Sequence, residues 1–501
     1  MTYWIGIDVG TGGTRVLLVD AQGKIAASFT APHEDIHMER PLWAEQRPEN
    51  WWDAAQEAIR GALAQVSASG RDVRGVGLSG QMHGLVMLDA DDKVIRPALI
   101  WCDQRSQPQV DAINELIGKD SVLSYTANPV LTGFTLPKLL WVRDNEREHF
   151  GRVRKILLPK DYVRFGLTGE HATDVADASG TSLFDVAHRA WSVEMAERVG
   201  LPQSVLPQVF ESSHISGHIS SSAAAATGLA QGTPVVAGAG DQAASGIGNG
   251  IVEPGIVSCT LGTSGVVFAY TKHPEYDTQG RVHTFCHAVR DAWHVMGVTQ
   301  GAGLSLQWFR NNFEPKAGYD SLTLEAATTA AGADGLFWLP YLMGERTPHL
   351  DPAARGGWIG LTAKHTRAHL IRSLMEGVSY SQKDCLDVIQ QMGVHVESVR
   401  LSGGGARSLF WQQMIADVFG KRVAVLENQE GSAYGAALLA MVGTGEYSSV
   451  REVTKATIRE VRVCEPQVEE GEIYKAGYRV YRALYPATKG ALWVERLPNT
   501  S

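Results

Sequence analysis

Two copies of one short Gly/Thr-rich turn lie about half the chain apart, and they constrain the fold more than any other feature. The first is Asp8-Val9-Gly10-Thr11-Gly12-Gly13-Thr14-Arg15, between apolar segments at 4–7 and 16–19. The second is Thr260-Leu261-Gly262-Thr263-Ser264-Gly265, between apolar segments at 256–259 and 266–268. Glycine permits the backbone angles that let successive N–H groups converge on an anion, and threonine hydroxyls add uncharged donors. One such turn per half predicts duplicated lobes that close on the phosphates of a single nucleotide.

A chain of 501 residues is too long for one ordinary core, so two large domains are expected. We place the boundary at the turn Glu253-Pro254-Gly255, giving lobes over 1–250 and 251–501. A net charge of −9 argues against a nucleic-acid partner and gives no membrane-surface signal. No apolar run approaches the roughly 18 residues needed to span a bilayer, and no leader-like segment opens the chain. The five cysteines are scattered, with no CxxC pair, so neither a disulfide framework nor a zinc site is indicated. These features predict a reduced, cytoplasmic enzyme.

Alternating apolar residues predict strands at 5–8, 15–20 and 25–29, a meander that makes the first turn a hairpin. A helix is expected from Pro48, with Trp52, Ala55, Ile59, Leu63 and Val66 on one face. Further strands are expected at 73–78, 99–101 and 235–237, with a hairpin joining 85–88 to 94–95. The second half repeats the hairpin, then shows helices near 304–311, 366–392 and 409–419 and a strand at 398–402.

Several loops at strand ends carry candidate chemistry. Asp8 ends a buried strand beside a phosphate nest, where Mg²⁺, directly or through water, is a natural partner for a costly carboxylate. A capping role in a tight turn is the bland alternative. Gly238-Ala239-Gly240-Asp241-Gln242-Ala243 fits a degenerate dinucleotide pattern, but Asp241 inside the loop would repel a pyrophosphate. An aspartate offered there suits a general base for a substrate hydroxyl. Gln81-Met82-His83-Gly84, with Trp101 and Asp103 at the next strand end, mixes amide, imidazole, carboxylate and aromatic groups as sugar sites do. Taken alone, His83 reads more readily as a structural histidine than as a ligand-binding one. Gly403-Gly404-Gly405 opens a helix and would let a flat ring lie on the backbone, or serve only as a packing turn. None of the Gly-Lys pairs is followed by Ser or Thr, so phosphate binding must use the hairpins and not a Walker loop.

Together these segments resemble the FGGY family of carbohydrate kinases, within the actin/Hsp70/sugar-kinase ATPase superfamily. Gly133-Phe134-Thr135-Leu136-Pro137-Lys138-Leu139-Leu140-Trp141 resembles the first family signature. The segment from Gly344-Glu345-Arg346-Thr347-Pro348-His349 through Gly360-Leu361 to Glu376-Gly377 resembles the second. The Gln81-Met82-His83-Gly84 loop, Trp101-Cys102-Asp103, Leu158-Pro159-Lys160-Asp161-Tyr162 and Gly240-Asp241-Gln242-Ala243 are most similar to bacterial members acting on D-xylulose. Glycerol-specific members usually carry Arg-Glu at Met82-His83, and some xylulose-specific members carry Asn at Gln242.

The resemblance implies two ribonuclease-H-like α/β lobes around a central cleft and ATP-dependent phosphorylation of the 5-hydroxyl of D-xylulose. Asp241 would be the base and Asp8 the Mg²⁺ ligand. Gln81, Met82, His83, Trp101, Asp103, Asp241 and Gln242 would face the sugar. Gly10, Thr11, Gly12, Thr14, Gly262, Thr263, Gly303, Gln307, Gly404 and Ser408 would face the nucleotide. A homodimer is implied as well. Ribulose, gluconate and xylitol remain open as acceptors, and a non-metabolic ATPase of the superfamily is the distant alternative.

Overall fold

The computed structural model describes residues 1–492; the last nine residues of the expected second lobe lie outside the described residues. The first sheet contains β1 (Tyr3–Val9), β2 (Gly13–Asp20), β3 (Ile25–Pro32), β4 (Val73–Gly80), β5 (Ile215–His218), β6 (Pro234–Val236) and the short β7 (Ala239–Gly240). Its order is β5-β6-β4-β1-β2-β3, with β7 on the end of β4. β1 and β2 form the expected hairpin, pairing from Tyr3–Asp20 to Val9–Thr14. Helix α1 (Pro48–Gln65) begins at a proline and buries an alanine-rich face with Trp51, Ile59 and Leu63 on β2 and β3. Trp52 and Val66, expected on that face, pack at its margin and are only partly buried.

The second sheet contains β8 (Gly255–Leu261), β9 (Gly265–Thr271), β10 (His283–Cys286), β11 (Trp293–Thr299), β12 (Val396–Ser402), β13 (Arg422–Leu426) and β14 (Glu460–Cys464). Its order is β10-β11-β9-β8-β12-β13-β14. The duplication is visible strand by strand. In each lobe a hairpin's first strand runs parallel to the next strand inward, and a further parallel strand follows. An antiparallel strand closes each edge beyond it.

Three local details refine the sequence reading. The expected hairpin joining 85–88 to 94–95 forms, but only as a single bridge from Leu88 to Val94 with Ile95 N–H donating to Met87 O at 3.0 Å, and Val86–Leu88 pairs also with Lys155–Leu157. The strand expected at 99–101 is Ala98–Leu99, and Trp101 stands in a turn with 47% of its surface exposed. Helix Gly431–Gly443, from the second half of the chain, lies on β1 and β4 of the first sheet. Glycines allow that approach: a Cβ on Gly6 would sit 1.8 Å from the Ala433 carbonyl oxygen, and one on Gly77 2.0 Å from that of Ala436. Hydrophobic periodicity reports that a helix is buried, not which sheet it covers.

Between β4 and β5 the chain adds a separate apolar cluster that includes Leu85, Leu99, Leu136, Trp141 and Ile156. Helix α2 (Thr135–Asn145) belongs to it, and this insertion carries most of the expected sugar-facing residues.

Candidate active site

Asp8 sits one residue from the end of β1, opposite Arg15 on β2 and Ser79 on β4. The Ser79 hydroxyl donates to Asp8 Oδ1 at 2.9 Å. Burial raises the Asp8 pKa, against the Ser79 bond and the nearby Arg15 charge. Arg15 itself pairs with Glu430 at 2.6 Å.

Asp241 is the first residue of helix α3 (Asp241–Gly248), directly after β7, whose residues pair with Ser79 and Gly80. Two carboxylates therefore hang from the same end of the two strands that flank β4. Burial and then the charge of Asp8 push the Asp241 pKa up to about 7, while Gln242 bonds its carboxylate through main chain and side chain. That is the range in which a carboxylate both ionises and accepts a proton effectively near neutrality.

The loop after β4 divides its labour. Gln81 is buried, and its amide donates to Gly10 O at 3.2 Å and Gln46 Oε1 at 3.0 Å. Gln46 in turn donates to Thr11 O at 2.8 Å and accepts from Trp51 Nε1 at 3.2 Å. Expected to face sugar, Gln81 instead fastens the first turn to the protein. Met82 is 5% exposed and joins a cluster with Phe134, Phe268 and Phe285 from both lobes. His83 has a left-handed backbone, φ 70°, and stacks on Phe134 with centroids 4.5 Å apart. Its Nδ1–H donates to Gly180 O at 2.8 Å, which leaves Nε2 as an acceptor. Burial, then the charges of Lys138 and Arg346, lower its pKa to about 3, so the ring is neutral.

The other expected residues separate into accessible and occupied groups. Trp101 Nε1 donates to Thr11 Oγ1 at 3.0 Å, which holds the exposed indole over the first turn. Gly10 N–H closes the turn on Gly13 O, and Gly12 is exposed. Thr14, expected at the nucleotide, is buried in β2 with its hydroxyl 2.8 Å from His33 Nε2. Asp103, expected at the sugar, is wholly buried; it accepts from Arg105 and from the Ala44 N–H at 2.6 Å. Strand-end position made Asp103 look available, but the buried Arg105 beside it consumes its charge.

In the second lobe, Gly262, Thr263, Gly303, Gln307, Gly404 and Ser408 line one cavity of about 640 Å³. Gly303 N–H donates to Gly262 O at 2.7 Å, which docks helix α4 (Ala302–Phe313) against the second turn. Of the three glycines, only Gly404 opens on free space; a Cβ on Gly403 or Gly405 would lie 2.7 Å from Leu261 atoms. Ser408 also caps the next helix, accepting from Trp411 N–H. Tyr319, Thr323 and Trp411 line the cavity too and were not foreseen, because no glycine or charge marks them. Among the described residues no group of three or more His, Cys, Asp or Glu side chains forms a metal cage.

Models of the N-terminal and C-terminal domains of the FGGY family of carbohydrate kinases match residues 3–248 and 257–444. The chain belongs to this family. It is 40% identical over 489 residues to a xylulose kinase of Bacillus subtilis, covering 98% of each chain. It is 39% identical to the xylulose kinase of Escherichia coli K12, covering 96% of this chain and 98% of that one. A solved structure from Brucella ovis, described as a xyloylose kinase, superposes with a TM-score of 0.91 at 37% identity, over 97% of this chain and 99% of the other. The protein is thus a sugar kinase, and the reading as a non-metabolic ATPase is set aside.

Proposed function

We propose that this kinase transfers the γ-phosphoryl group of ATP to the 5-hydroxyl of D-xylulose, giving D-xylulose 5-phosphate and ADP. The observation that carries the reading is Asp241, its pKa pushed up to about 7 at the end of β7, beside the strand end that leads into the His83 loop. Near-full-length relatives named as xylulose kinases supply the acceptor. In this reading Trp101, Met82 and the Nε2 of His83 receive the sugar, and the cavity around Gly404 and Gln307 receives the nucleotide. Asp241 orients the 5-hydroxyl and accepts its proton as the O5–Pγ bond forms and the bond from Pγ to ADP breaks.

Mg²⁺ fits the donor set. A single carboxylate, Asp8, with one oxygen not engaged by Ser79, suits an ion that keeps several waters and takes its other ligands from phosphates. When bound, it would neutralise phosphate charge. We assign the sugar mainly to the lobe of residues 1–250 and the nucleotide to that of 251–501. A homodimer and a cytoplasmic setting belong to the same reading; no helix of the described residues is long and apolar enough to cross a membrane.

The test is ADP release across D-xylulose, ribulose, gluconate, xylitol and glycerol. D-xylulose should give the highest kcat/KM by at least about tenfold, the discrimination expected of one or two polar contacts. A higher value for any other acceptor overturns the assignment.

A further inference from the structure

The cleft has two electrical poles. At one end the charge of Asp8 acts on the Asp241 carboxyl. At the other end the groups acting on His83 are Lys138 and Arg346, both cationic. Lys138 is fully engaged, donating to His83 O at 3.0 Å and Gly133 O at 2.6 Å. Arg346 is different.

Arg346 lies on the second-lobe loop that follows Phe337–Leu339, and its neighbours are tightly held. Thr347 N–H donates to Val298 O at 3.0 Å, which ties the loop to β11. Thr347 Oγ1 donates to Arg281 O at 2.6 Å, two residues before His283. Glu345 accepts from Gln300 N–H, Arg346 N–H and Ser381 Oγ, and burial lifts its pKa to about 8. That carboxyl is committed and mostly neutral at pH 7. Arg346 is partly buried and the charge of its neighbour Glu345 acts on it, yet among the described residues its side chain makes no hydrogen bond or ion pair. Its charge acts on both His83 and His283, rings joined through Phe134 by centroid distances of 4.5 and 5.7 Å. A partly buried five-donor cation beside the His83 and His283 rings, without a protein acceptor, is free to donate to a ligand.

We infer that Arg346 is a specificity-determining substrate contact, supplied by the second lobe, that reads the oxygens of the sugar's carbonyl end while Asp241 engages the opposite hydroxyl. The inference rests on the xylulose reading and sharpens it. A carbonyl or carboxylate at the far end accepts a charge-assisted hydrogen bond, which a polyol's hydroxyl matches poorly. A contact made across the cleft also couples sugar binding to lobe closure, since first-lobe residues alone cannot complete the site.

The experiment compares the wild type with Arg346→Met and Arg346→Lys, using D-xylulose and xylitol as acceptors and D-xylonate as inhibitor. Arg346→Met should raise KM for D-xylulose roughly 10- to 100-fold, the value of one hydrogen bond to a charged group. It should leave KM for ATP and the thermal midpoint nearly unchanged, because no protein partner is orphaned. Xylonate inhibition should weaken in proportion, xylitol turnover should change far less, and Arg346→Lys should recover part of the loss. An unchanged KM for D-xylulose overturns the inference, as do equal losses for D-xylulose and xylitol. A fall in thermal midpoint with equal loss of ATP and sugar affinity does so too, since it marks a structural arginine. Wild-type failure with D-xylulose overturns the substrate reading instead; a ketose compared with its reduced polyol then still tests Arg346.

Discussion

Lys138 Nζ lies 3.0 Å from the main-chain carbonyl oxygen of His83, and the same ammonium reaches Gly133 O at 2.6 Å. Thr135 Oγ1 donates to the same His83 oxygen at 3.1 Å. His83 holds a left-handed backbone, which costs a non-glycine residue of order 1 kcal/mol unless its surroundings enforce it. Helix α2 therefore fixes the main chain at His83, and the family signature around Lys138 supports the His83 loop.

Lys138→Met should loosen that loop. Two buried carbonyls lose a donor, so stability should fall by about 1–3 kcal/mol. KM for sugar should rise about tenfold while KM for ATP stays within twofold. Burial lowers the Lys138 pKa to about 7, and a neutral amine still donates, so the sugar KM should vary little between pH 6 and 8 from this cause. A variant with wild-type sugar KM would show that the loop keeps its conformation unaided.

The hairpin turns and the two-lobe duplication were legible because glycine spacing marks tight turns, and the six residues that line one second-lobe cavity were named by the family resemblance. Side-chain availability was not legible. Gln81, Thr14 and Asp103 had the right chemistry at the right strand ends, but their polar atoms are used by Gly10 and Gln46, by His33, and by Arg105 and Ala44. Gly10, Gln46, His33 and Ala44 lie 19 to 71 positions from the residues they engage, beyond the reach of any local pattern, and Arg105, two positions from Asp103, is buried only by the fold. Helix Gly431–Gly443 was missed as part of the first sheet's covering for the same reason: its small residues match glycines more than 350 positions earlier.

Asp241→Asn should lower kcat/KM for sugar by roughly 10²–10⁴, the range for loss of a general base, with ADP affinity nearly intact. In the wild type, kcat/KM should fall as pH drops through about 7, because the protonated carboxyl cannot accept the hydroxyl proton. Stability has the opposite sign. The folded pKa lies above the unfolded value near 4, so the folded state binds the extra proton and stability falls as pH rises from about 4 to 7. Asp241→Asn should therefore melt higher than the wild type at pH 8, with the difference vanishing near pH 4. An equal melting difference at both pH values would remove Asp241 as the buried titrating group.

The charge of Asp8 is the second cause of the raised Asp241 pKa. Asp8→Asn should therefore shift the acidic limb of kcat/KM to lower pH, even though the remaining rate is small. The same variant should need a higher Mg²⁺ concentration for half-maximal rate, and chelation by EDTA should abolish turnover in both proteins. An unmoved acidic limb together with an unchanged Mg²⁺ requirement would separate Asp8 from both the base and the metal.

Gly303 is the strictest test of the nucleotide cavity. A Cβ there would lie 2.5 Å from Gly262 O, inside the hydrogen bond that docks helix α4 on the second turn. Gly303→Ala must push the helix and the turn apart, at a cost typical of overpacking, about 1–3 kcal/mol. The strain falls on residues that line the cavity and spares the His83 loop in the other lobe. ADP affinity, measured by calorimetry, should drop about tenfold or more, while sugar binding in the absence of nucleotide is retained. Parallel losses of ADP and sugar affinity would mean that the two lobes do not divide the ligands as proposed.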